Sequence, residues 1–113
     1  MKFNKLDREK KQENFHCFIT ETMNLIGGKW KPFILWLLYE EGVVRFGEMK
    51  KRIPTVTQKM LTQQLREMEQ DRFIVRKVYA EVPPKVEYSL TDLGKSLKPV
   101  LDALSNWGES NLK

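Results

Sequence analysis

The first fifteen residues, MKFNKLDREKKQENF, scatter single apolar positions among acids, bases and amides, and they read as a polar arm ahead of a folded unit over 16–113. Beyond the arm the apolar positions fall into helical spacing. Phe18 to Ile26 is predicted to be a short helix closed by Gly27-Gly28. A second helix opens around Lys29 to Lys31, with Pro32 in its first turn, where a missing N–H matters least. It runs through Phe33, Ile34, Leu35, Trp36, Leu37, Leu38 and Tyr39, is apolar nearly all round, and is expected to be buried until Gly42 ends it. Val43-Val44-Arg45 can form at most a short strand.

Phe46 to Ile53 sets Phe46, Met49 and Ile53 on one side and Lys50, Lys51 and Arg52 largely on the other, an amphipathic helix that Pro54 stops. Thr57 can cap the next helix through its hydroxyl, and strong helix formers continue to about Asp71 without an internal Gly or Pro. Leu61, Leu65 and Met68, flanked by Met60, form its apolar stripe. Gln58, Lys59, Thr62, Gln63 and Arg66 are left facing outward in rows four residues apart. Phe73 to Tyr79 is rich in β-branched and aromatic residues and Val86 to Leu90 alternates, so the two are predicted to pair as a hairpin with a stiff, exposed loop at Pro83-Pro84. Thr91 and Asp92 signal a last helix, along which Leu93, Leu97, Val100, Leu101, Leu104 and Trp107 recur at helical spacing. Pro99 is expected to kink or split it.

Charge narrows what such a chain does. Of 20 Lys and Arg against 15 Asp and Glu, ten bases and five acids lie between Arg45 and Lys85, so the net excess of +5 belongs to the middle of the chain and the flanks are neutral. A localised excess is the footprint of a polyanion-binding surface or, more plainly, of a solvated helix face. One Cys and one His cannot build an internal disulfide or a one-chain zinc site, and no cofactor is implied. The longest apolar run, Phe33 to Tyr39, is far short of the roughly 20 residues that cross a bilayer, and the arm lacks a secretory h-region, so no membrane partner and a cytoplasmic location are expected. An enzyme has almost no support: there are no paired carboxylates at a defined spacing, no nucleophile elbow and no Gly-rich phosphate loop.

Helix, turn, helix and hairpin in that order, with the basic excess on them, make an α+β, mainly helical fold: a winged helix-turn-helix with a two-stranded β-hairpin wing. In that arrangement the second helix of the pair enters the DNA major groove. Its outward row suits readout, because Gln58 and Gln63 can pair bidentately with adenine, Arg66 or Lys59 with guanine, and Thr62 can meet a thymine methyl or a phosphate. Arg45, Lys50, Arg76, Lys77 and Lys85 are the candidate phosphate contacts of the wing and its surroundings. Leu101, Leu104 and Trp107 give the terminal helix an apolar stripe that a second copy of the chain would cover. The rival is a winged-helix module that docks protein and leaves its basic face as solubilising charge, without specific DNA readout.

Four segments, LIGGKWKPFIL (25–35), RFGEMKKRIP (45–54), TQKMLTQQLREME (57–69) and EVPPKVEYSLTDLGKSL (81–97), together resemble the HxlR-type helix-turn-helix transcriptional regulators, winged-helix proteins related to the MarR group. The resemblance spans about Cys17 to Trp107. It implies a bacterial homodimer that acts on double-stranded DNA at a pseudo-palindromic operator, expected as a repressor, with terminal helices for dimerisation. On that match 57–69 is the recognition helix, 81–85 the wing tip, and 97–107, including Leu97, the dimerisation helix. Several members sense electrophiles or oxidants through a Cys just before the first core helix, where Cys17 stands here. Two departures are visible: the family usually continues Cys-Pro where this chain has Cys17-Phe18, and Arg72 stands where Gly is common after the recognition helix.

A free Cys is either an inert small hydrophobe or, if exposed beside cations, a reactive thiol, and both readings stay open for Cys17. His16, Lys29 and Lys31 could supply a cationic neighbourhood. His16 itself reads as an arm or surface residue, having no acid or nucleophile placed beside it by spacing. Trp30, Phe33, Trp36 and Tyr39 read as core rather than as the lining of a ligand pocket.

Overall fold

Two glycines separate α1 (Phe18–Ile26) from α2 (Lys31–Glu41) in the computed structural model, which describes residues 17–112. The polar arm, His16 and Lys113 lie outside the described residues. Pro32 sits in the first turn of α2, and Gly42 ends the helix at φ 84°, a left-handed backbone that a side chain would strain. Ile34, Leu35, Leu37 and Leu38 are fully buried, so α2 is the axis of the core. It is not buried all round, as its composition suggested: Phe33 and Trp36, 40% and 42% exposed, form an outward face.

After β1 (Val43–Arg45), α3 (Phe46–Arg52) buries Met49 and closes on Ile53, whose N–H reaches the Met49 carbonyl just ahead of Pro54. A short turn leads into α4 (Gln58–Gln70), capped by Thr57 Oγ1, which accepts the Met60 N–H at 3.0 Å. Leu61, Leu65 and Met68 of α4 are buried, while Met60 is exposed at the margin of the stripe. Its exit is tight. Arg72 takes φ 67°, the Phe73 N–H bonds back to the Met68 carbonyl at 3.0 Å, and the chain turns straight into β2 (Ile74–Tyr79).

β2 and β3 (Lys85–Leu90) form the expected hairpin, with Ile74 opposite Leu90 and Tyr79 opposite Lys85. The short strand allowed at 43–45 forms and adds a third strand beside the hairpin: Val43, Val44 and Arg45 pair with Ser89, Tyr88 and Glu87, giving the order β1-β3-β2. Three residues are too few to show alternation, and their ladder partner lies more than forty positions away in the chain.

Pro99 splits the terminal helix: α5 (Asp92–Lys95), capped by Thr91 Oγ1 on the Gly94 N–H, is followed by α6 (Lys98–Asn111) with the proline in its first turn. Gly94 lies against the Phe73 carbonyl so closely that a Cβ would overlap it. Tyr39 donates its hydroxyl to the Gly94 carbonyl, tying α2 to this junction. Leu101 is buried in the core and Leu97 packs on its edge. Both were expected at a partner surface, but the break at Pro99 turns this end of α6 inward, leaving Val100, Leu104 and Trp107 exposed. No helix among the described residues is long and apolar enough to cross a membrane.

Candidate nucleic-acid interface

Burial of Leu61, Leu65 and Met68 fixes the rotation of α4, and the opposite face carries the outward residues. Gln58, Lys59, Gln63 and Arg66 are exposed and Thr62 is half-buried. All five line one open groove along the helix, together with Glu67 and Gln70. The expected set is therefore brought together on one rigid element.

Thr62 and Arg66 also border a second concavity, between α4 and the sheet, whose other walls are Phe46, Glu69, Arg76, Val86 and Tyr88. Burial pushes the Tyr88 hydroxyl up from its ordinary pKa, against the pull of the nearby Arg76 guanidinium. Arg76 thus stands beside Arg66 and faces α4.

The other wing cations do not. Side chains alternate along a strand, and the register puts Arg76 opposite Tyr88 on one face but Arg45, Glu87 and Lys77 in one row on the other. Glu87 is the middle member of that row. Tyr79 donates its hydroxyl to Glu87 Oε1 at 2.9 Å, Lys85 Nζ lies 3.7 Å from Glu87 Oε2, and Lys85 and Lys77 sit 4.1 and 4.9 Å over the Tyr79 ring. The single expected cationic set is thus divided between two faces, and the outer half is partly neutralised. Arg45 and Lys85 share a groove at the wing tip with Lys51, which the sequence reading had not selected. Lys50, on the other hand, is half-buried on α3.

Two further residues were missed. Lys31, in the first turn of α2 and 7% exposed, places Nζ 2.7 Å from Glu67 Oε1 of α4. Glu67 Oε2 accepts the Gln63 side-chain amide at 3.3 Å. Hydrogen bonds from Lys31 first and Gln63 second, with the Lys31 charge, hold the Glu67 carboxyl below its ordinary pKa. A lysine inside an apolar helix was the available signal, but its partner lies 36 positions away.

Cys17 precedes α1 as its N-cap and is 6% exposed. The Thr20 N–H and then the Thr20 hydroxyl draw its thiol pKa below the ordinary value. Neither expected lysine provides this effect: Lys31 is engaged by Glu67, and Lys29 Nζ lies 4.9 Å over the Trp30 ring.

Against known proteins, the family model described as HxlR-like helix-turn-helix matches residues 25–113. The regulatory protein MalR of Fusobacterium mortiferum is 47% identical over 106 residues, which cover 94% of this chain and 99% of that one. The HTH-type transcriptional regulator YdeP of Bacillus subtilis is 47% identical over 110 residues, 96% of this chain and 85% of that one. Among solved structures, the redox regulator HypR in its reduced form superposes with a TM-score of 0.81 at 45% identity, covering 86% of this chain and 95% of that one. The capped helix with its outward polar row, the hairpin beside it and these likenesses agree: the chain belongs to the HxlR-like helix-turn-helix family of transcriptional regulators.

Proposed function

We propose that this DNA-binding regulator acts in the cytoplasm as a homodimeric repressor on a pseudo-palindromic operator, with α4 of each protomer in the major groove. The observation that carries this is the row Gln58, Lys59, Thr62, Gln63 and Arg66 on a capped helix whose other face is locked in the core. Gln58 and Gln63 offer the donor and acceptor pair that matches adenine, Lys59 and Arg66 match guanine, and Thr62 reaches a thymine methyl or a phosphate. Arg76, beside Arg66, holds the backbone along the groove, and Arg45, Lys50, Lys77 and Lys85 add phosphate contacts at and around the wing. Val100, Leu104 and Trp107 on α6, with Phe18, Ile19 and Met23 on α1, are the exposed apolar positions that a second copy covers. Two recognition helices then sit about 34–36 Å apart, one turn of B-DNA.

Cys17 is the proposed sensor of a small electrophile or oxidant. Thr20 favours its thiolate, and HypR, the structural relative, is a redox regulator solved in oxidised and reduced forms.

Fluorescence anisotropy against the DNA upstream of the protein's own gene and against a shuffled duplex, at several salt concentrations, tests the reading. Specific regulation at that site requires binding tighter than to the shuffled duplex by about a thousandfold or more, with a steep salt dependence. Equal and weak binding to both, confirmed by a selection from random duplexes that enriches nothing, would instead leave a basic module that docks protein.

A further inference from the structure

Gln63 is the base-reading candidate with an orientation problem. A glutamine amide has two flip states that exchange its oxygen and its NH2, and a freely rotating one can offer either end to a base. Adenine is read by the carbonyl oxygen and an N–H in a fixed order, accepting from N6 and donating to N7. A reversed amide is restricted to single hydrogen bonds, which other bases also satisfy.

Here the amide has a neighbour that favours one state. Glu67 Oε2 lies 3.3 Å from Gln63 Nε2 at i+4 on the same helix. An ionised carboxylate only accepts, so it can face the NH2 end and never the oxygen. Lys31 keeps it in place, since Nζ at 2.7 Å and 9% side-chain exposure pins the other carboxylate oxygen from α2. Gln63 is left with its oxygen and one N–H to present.

We propose that Glu67 is a specificity-positioning residue: bonded to Gln63 and anchored by Lys31, it locks the Gln63 amide in one flip state and so makes that side chain selective for adenine. This rests on the reading of α4 as the recognition helix. Lys31 reaches the DNA-facing surface only through Glu67, and its role is to hold the carboxylate.

The test compares wild type, Glu67→Gln, Gln63→Ala and the Gln63→Ala/Glu67→Gln double variant by selection from a randomised duplex library, followed by competition with single-base variants of the selected site. A glutamine at 67 has the same size but can donate or accept, which restores the flip. Glu67→Gln is expected to reduce adenine preference at one position per half-site by about fivefold or more, while binding to random duplex strengthens, because a negative charge is removed from the DNA-facing groove. On the Gln63→Ala background the same change is expected to have no further effect on base preference. Because Glu67→Gln leaves the Lys31 ammonium unpaired, Lys31→Met/Glu67→Gln serves as a folded control and should show the same loss. Unchanged adenine preference in Glu67→Gln, or an equal loss on the Gln63→Ala background, overturns the proposal while the recognition-helix reading stands. A wild type that enriches no sequence overturns that reading, and the proposal with it.

Discussion

Thr91 donates its hydroxyl to the Arg72 carbonyl at 2.6 Å, at the point where Arg72 holds a left-handed backbone of φ 67°. The same oxygen, Thr91 Oγ1, caps α5 through the Gly94 N–H, and the Thr91 N–H bonds to the Phe73 carbonyl. One threonine therefore joins the exit of α4 to the start of the terminal helices. It also explains how Arg72 tolerates a left-handed backbone: the turn is held from outside.

The backbone strain at Arg72 should be measurable. A left-handed non-glycine residue costs roughly 1–2 kcal/mol, and a glycine gives back about 0.5–1 of that through its flexible unfolded state. Arg72→Gly is expected to raise stability to urea by about 0.5–1 kcal/mol, since the exposed side chain contributes little packing. Thr91→Val should lower it by about 1–2 kcal/mol, through loss of a cap and an unbonded Arg72 carbonyl. A destabilised Arg72→Gly would show that the arginine side chain makes contacts worth more than its strain.

Much of this architecture is legible in the chain, and what is hidden follows a physical rule. Thr57, Gly42 and Pro99 act within a turn of themselves, so the cap, the helix end and the split can be read locally. The α4 face is equally legible because Leu61, Leu65 and Met68 determine what points away from them. Pairings between distant segments are not. The β1-β3 ladder, the Lys31–Glu67 bond and the inward turn of Leu97 and Leu101 each depend on tertiary placement that no local period encodes. The wing shows the limit most sharply, because Arg76 and Lys77 are neighbours in sequence yet lie on opposite faces of the sheet.

Acid should expose the bond between α2 and α4. The Lys31 hydrogen bond lowers the Glu67 pKa in the folded state, so folding disfavours the proton. The resulting stability is complete above the unfolded glutamate value of about 4.3 and is lost as pH falls through the lower folded value. Urea midpoints measured from pH 6 to pH 3 should drop more steeply for wild type than for Lys31→Met/Glu67→Gln, which has no such group to titrate. Parallel curves would mean that this pair contributes no pH dependence. The partly exposed carboxylate keeps the expected difference small.

The division of labour between α4 and the wing predicts different losses for two alanine variants. Gln63→Ala should relax base preference at one or two positions and leave the salt dependence alone. Lys85→Ala should weaken every sequence alike and flatten the salt slope by up to about one unit. The reduction below a full unit follows from Glu87, which already partly neutralises Lys85. Equal losses on selected and random duplexes for both variants would contradict the separation.

Cys17 is the chain's only thiol, which makes its chemistry measurable without interference. Because Thr20 lowers its pKa, alkylation by iodoacetamide should reach half its maximal rate below the ordinary thiol value of about 8.5. Thr20→Ala should move that midpoint upward. Cys17→Ser is expected to keep DNA affinity and to abolish release by diamide. Release that persists in Cys17→Ser would assign the response to another group.

Trp107 carries the strongest test of assembly. It is 62% exposed on α6, seven positions after Val100 and three after Leu104, so the three share one face of the helix. Leu97 and Leu101 are held by the protomer's own core, and substitutions there would confuse unfolding with dissociation. Trp107→Asp avoids that confusion because little of the side chain is used within the protomer. Sedimentation equilibrium at micromolar concentration should give a dimer for wild type and a monomer for Trp107→Asp, with thermal unfolding of the variant still cooperative. Loss of the second recognition helix should then cost far more affinity on a two-half-site duplex than on a single half-site. A wild-type monomer, or a Trp107→Asp dimer of unchanged strength, would place the contact elsewhere, and the exposed α1 residues Phe18, Ile19 and Met23 would be the next to substitute.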